Sequence, residues 1–257
     1  MQSNFSKKII AAAIALNLIA PSLALADEKP NRPDGAARPE AGMICERLTT
    51  FGSKVQENMY TQETRLSAKR NEHSLRMSSA RKERDAKLDS KRSEHDDNLN
   101  ERFTKIEARA TTDAQKTAIT TFRATFETAL AARKAAIDNA LSIYRSGVDT
   151  AVASHKTAID SIVTEFKTTV QAAQDKAITD CRSGVDPKTV KETLQASLKA
   201  AKEKLQADRK TIENRGDSIQ PLIETRNAAF KKAADDFKTA IESAKSALKA
   251  AFPEKSE

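Results

Sequence analysis

Apolar residues return at every eleventh position along most of this chain. Ile44, Val55, Leu66, Met77, Leu88, Leu99 and Ala110 form one unbroken series. Phe126, Ile137, Val148, Ile159, Val170 and Cys181 form a second, flanked by a third made of Ile119, Leu130, Leu141, Val152 and Val163. Eleven residues close three helical turns at about 3.67 residues per turn, so each series marks one face of a nearly straight or slightly right-handed coil. A period-two alternation, the mark of strands, is absent.

The first two series are out of phase, because Ala110 and Phe126 stand 16 residues apart, which is not a multiple of eleven. Something interrupts the helix there. Thr112-Asp-Ala-Gln115 has the form of a capping box, in which the Thr hydroxyl accepts from the Gln115 amide and the Gln side chain reaches back. The pattern therefore predicts a first helix over about 43–110 and a second over about 113–182, folded back on each other as an antiparallel hairpin. At 1.5 Å per residue each arm is about 100 Å long. Gly147 falls inside the second helix, but the eleven-residue phase passes through it unbroken, so it reads as a tolerated glycine.

Gly184 ends that helix, with Asp186 as the next N-cap and Pro187 as the first residue of a third helix, about 187–214. Arg215-Gly-Asp-Ser218 is a loop, with its Gly as helix terminator and Asp or Ser as the next cap, which explains the Arg-Gly-Asp tripeptide without an adhesive role. A fourth helix covers about 219–252 and stops at Pro253, leaving a tail of 253–257. The fold class expected is all-α: a long hendecad hairpin with two shorter C-terminal helices. Large apolar residues crowd the start of helix 1 and thin out from Lys69 to Asn98, so the two shorter helices are expected near the open end, in a four-helix base from which a two-helix arm protrudes.

The first residues change the picture of where the chain works. Lys7 and Lys8 precede an apolar run from Ile9 to Ala20, followed by Ala24-Leu25-Ala26, the pattern of a secretory signal peptide cleaved after Ala26. The run is too short to span a bilayer. The mature chain is expected to begin at Asp27, to open with a flexible Pro-rich leader over 27–42, and to be periplasmic or extracellular. In such an oxidising compartment the two cysteines, Cys45 and Cys181, are expected to form a disulfide. Each lies 68 residues from Asp113, so a fold about that residue sets them level.

Composition agrees with helices: no Trp, aromatics at 4%, charged residues at 31%. The formal charge of +8 is spread along the chain and permits an anionic partner without requiring one. The alternating charges from Lys69 to Glu107 read as the solvated face of a helix. They lack interleaved aromatics, which disfavours single-stranded nucleic acid.

Six glycines, none spaced for a nucleotide loop, exclude those binding motifs. Ser79-Ala-Arg-Lys82 and Ser246-Ala-Leu-Lys249 match S-x-x-K but lack its companion motifs. His73 and His155 are expected within about a turn of each other in the hairpin, without the ligand cluster a metal needs. No catalytic residue, cofactor or metal site is expected. The expectation is a non-enzymatic structural, spacer or protein-interaction element of the envelope or exterior. Its partner would be a protein, or a second copy engaged through the helical stripes, with no specific nucleic acid and no small-molecule substrate. In period alone the chain is similar to lipid-surface helices of the apolipoprotein and synuclein kind, which gives the alternative: reversible binding to lipid or other anionic surfaces.

Overall fold

The computed structural model describes residues 41–213 and 218–252, the side chains of 41–45 and 213 excepted. The segments expected as signal peptide and tail, most of that expected as leader, and the Arg215-Gly-Asp217 segment lie outside the described residues. The described chain is all-α: α1 over Ala41–Glu107, α2 over Asp113–Arg182, α3 over Pro187–Glu213 and α4 over Gln220–Ala250. These bounds fall within a few residues of those the hydrophobic period dictates.

The junctions form as the capping residues require. At the tip the Gln115 amide donates to Thr112 Oγ1 at 3.2 Å. Its side-chain oxygen accepts from the amides of Thr111 at 2.9 Å and Thr112 at 3.3 Å, satisfying donors that the helix start leaves orphaned. After α2, Gly184 adopts φ +78° and lets the Val185 amide turn back onto the Asp180 carbonyl at 3.1 Å. Asp186 then accepts from the Thr189 amide at 3.1 Å and Pro187 opens α3.

The helices fall into two compact units. The first contains α1 up to Ser74, α2 from Ala153 and α3. Its core is two small clusters: Leu48, Ala177, Cys181, Val190 and Leu194, then Val55, Met59, Val170 and Ala201. The second unit contains the rest of α1, the tip, α2 up to Val152, and α4. Here Phe103 and Ile119 are buried, and Phe126 meets Phe103 at 5.8 Å and Phe237 of α4 at 5.4 Å between ring centroids.

The two shorter helices thus lie in different units, α3 in the first and α4 in the second. The reason lies in α2 and α4. Gly147 removes a side chain where Leu222 of α4 sits; a Cβ there would lie 2.7 Å from its Cδ2. Arg226 stacks over the Tyr144 ring at 4.5 Å and Arg133 over Phe237 at 5.3 Å. The hairpin in this unit is therefore not a bare two-helix arm, because α4 packs on α2.

Candidate interaction surface

Where the apolar stripe of α1 thins, charges take its place on the hairpin seam. Arg70, Arg81 and Arg92 stand eleven residues apart and reach Asp160, Asp149 and Asp138, also eleven apart, at 2.7, 2.8 and 2.7 Å. A parallel line runs with opposite polarity: Glu63 to Lys167 at 2.9 Å, Asp85 to Arg145, Asp96 to Lys134 at 2.6 Å and Glu107 to Arg123 at 3.1 Å. The Arg side chains of the first line are no more than 26% exposed, which places them on the seam. The charge run expected as a solvated face is therefore, at these positions, an interhelical ladder. Met77, Leu88 and Leu99 of the same helix are half-buried.

In each of these seven pairs the two residue numbers sum to 230. A fold centred on Asp113 demands 226, so the hairpin is set one helical turn from the expected register. The tip explains the difference: α1 ends at Glu107, and the extra residues before Asp113 form the turn.

Four carboxylates of the ladder, Asp85, Asp96, Asp149 and Asp160, are held in their charged form. The Arg81 hydrogen bond keeps Asp149 below the usual carboxylate range, Arg145 does so for Asp85, and Lys134 for Asp96. At Asp160 desolvation pulls the other way, and the hydrogen bonds from Lys156 and Arg70 outweigh it.

Cys181 is buried beside Leu48 and Val190. No cysteine is free among the described residues. The side chain of Cys45 lies outside the described ones; its position is one turn before Leu48 on α1. His73 is half-buried, while His95 and His155 are exposed. No group of three or more His, Cys, Asp or Glu side chains suits a metal among the described residues. None of the described helices is long and apolar enough to cross a membrane.

One buried polar side chain escaped sequence reasoning. Gln174 continues the apolar line Ile119 to Val163 by one more step of eleven, is 3% exposed, and its Nε2 has no partner. Its Oε1 lies 3.5 Å from where a Gly52 Cβ would be. The glycine makes room for the amide, and the amide interrupts an otherwise apolar line.

The surface left to solvent is polar. The large apolar side chains exposed on it include Tyr60, Leu75, Ile143 and Val152. In comparisons with protein-family models, with curated proteins and with solved structures, the chain matches none.

Proposed function

We propose that this chain is an exported, non-enzymatic helical protein that acts as a structural, spacer or protein-binding element of the cell envelope or exterior. The observation that carries the reading is the seven-pair ladder with its constant register. A sequence that spends its seam positions on mutual ion pairs holds two long helices to one another. The same positions in a lipid-surface helix would carry large apolar side chains free to enter the bilayer. The hollow between α1 and α2 is lined by Met59, Leu66, Val163 and Phe166, and its two charged lining residues, Glu63 and Lys167, are paired with each other at 2.9 Å as a rung of the ladder. Export rests on the Lys7 to Ala26 pattern.

Circular dichroism of the purified chain with and without anionic vesicles tests the spacer reading. The expected result is full helicity in buffer, unchanged by vesicles. Helicity that appears only with lipid overturns the reading in favour of a reversible surface binder. N-terminal sequencing of the exported protein tests the compartment, with Asp27 as the expected first residue.

A further inference from the structure

Within the second unit, steps of four, four and three residues from Arg76 trace one continuous face of α1. Its basic residues are Arg76, Arg84, Lys87, Lys91, His95 and Arg102, and only Ala80, Asn98 and Ile106 stand between them. All but Ile106 are exposed. No carboxylate falls on this face, although the α1 segment from Leu75 to Glu107 carries eight. In the first unit the same lines of α1 hold Arg47, Lys54, Arg65 and Lys69, again without a carboxylate.

The charges are available. Arg76 and Arg102 make no ion pair among the described residues. Lys87 and Lys91 touch Glu83 at 2.8 Å and Glu94 at 2.6 Å in pairs whose side chains are all more than half exposed, and such contacts are weak enough to yield to a stronger anion. Arg76 to Lys87 and Lys91 to Arg102 each span eleven residues, so the basic groups recur about every 16 Å along a straight axis.

We infer that this face binds a linear polyanion, an acidic polysaccharide chain laid along the helix. The choice of occupant follows from what borders the face. Glu83 and Glu94 stand on the neighbouring line, four residues before Lys87 and Asn98. A flat anionic bilayer would press on those carboxylates together with the bases, whereas a narrow chain runs along the basic face beside them. The face's one exposed apolar side chain is the small Ala80, which gives nothing large for insertion, and it has no aromatic for stacking on bases. Preference for a polysaccharide over a nucleic acid rests further on the export reading above.

The test measures binding of the purified chain to a polyuronate at low ionic strength. The comparison is with the triple variant Arg76→Glu, Lys91→Glu, Arg102→Glu and with a control of equal charge change on α4, Lys231→Glu, Lys238→Glu, Lys249→Glu. The expected result is saturable, salt-sensitive binding that the α1 variant weakens by about a hundredfold while the control stays within a few-fold, both retaining wild-type helicity. No binding, or equal loss in the two variants, overturns the site. Tighter binding to anionic vesicles or to single-stranded DNA than to the polyuronate overturns the occupant. A failed N-terminal start at Asp27 removes the compartment argument alone, whereas failed binding by a chain that does start there removes this proposal alone.

Discussion

Two glycines in α1 and α2 show how one residue type answers different local demands. Both sit inside long helices, where glycine costs about 1 kcal/mol relative to alanine. At Gly52 a Cβ would meet Gln174 Oε1 at 3.5 Å, an ordinary contact. At Gly147 it would lie 2.7 and 2.9 Å from the two Leu222 methyls, so α4 or its leucine must move. Gly52→Ala is therefore expected to raise the thermal midpoint through a gain of about 0.5–1 kcal/mol. Gly147→Ala loses that gain to overpacking and is expected to destabilise by about 1 kcal/mol net. Thermal melts of the two variants check the contrast. The double variant Gly147→Ala, Leu222→Ala should cost less than its two single changes added together, since the short side chain relieves the clash. Additivity would mean that Leu222 does not set the demand for glycine.

At the scale of elements, the ladder makes α1 and α2 a matched pair, and it sets a testable dependence on charge. Arg81→Glu places two carboxylates opposite each other at Asp149 and should lower the thermal midpoint. Adding Asp149→Arg should restore it, with a coupling of about 0.2–1 kcal/mol as expected for partly exposed pairs. A coupling near zero would mean that the pair does not contribute to holding the hairpin. The response to pH has a definite sign. Asp85, Asp96, Asp149 and Asp160 all titrate lower in the folded chain than their ordinary value of about 4. Their contribution to stability is therefore complete above that value and is lost as the pH falls through the lowered folded values. Denaturation followed from neutral to acid pH should show stability flat until about pH 4 and falling below it. Added salt should weaken the ladder at neutral pH.

Much of this was written in the sequence. The helix bounds, the tip, the Asp186 cap and the all-α class follow from apolar period and capping residues, because those signals are local. The ladder was equally periodic: Arg70, Arg81 and Arg92 mirror Asp138, Asp149 and Asp160, while Arg123, Lys134, Arg145, Lys156 and Lys167 run unbroken in basic residues. It was hidden by the habit of counting only apolar residues as seam. The register and the place of α4 were not local. Register depends on where α1 stops, and α4 is placed by Gly147, Tyr144 and Phe126, whose roles appear only once a partner helix is opposite them. Gln174 stands one step of eleven beyond Val163, and its place as the polar interruption of an apolar line shows only in its burial.

For the whole molecule, the open question of stability is how much a Cys45 to Cys181 disulfide would add to a hairpin already pinned by its ladder. Cys181 is buried in the first unit and is not a free thiol, and the chain has one other cysteine to offer it, Cys45, one turn before Leu48 of the same cluster. The bond would close a loop of 137 residues counting both cysteines, for which chain entropy alone gives an upper figure of about 5 kcal/mol. Less is expected in practice. Long helices and ladder contacts that persist in the denatured ensemble already restrict the chain, so the entropy left to remove is smaller. Cys181→Ser should therefore lower stability by about 2–4 kcal/mol, of which part is the lost burial of a sulfur at 7% exposure. Cys45→Ser separates the two effects, because it breaks the same bond while leaving the Cys181 sulfur in its cluster. Both variants should keep nearly all helicity, since the ladder and the capped tip do not depend on the bond. Peptide mapping of the oxidised protein without reductant decides the pairing: one linked Cys45 to Cys181 peptide is expected. Thiols free at both positions, or a Cys45 to Cys45 link between chains, would show that the ladder alone sets the register.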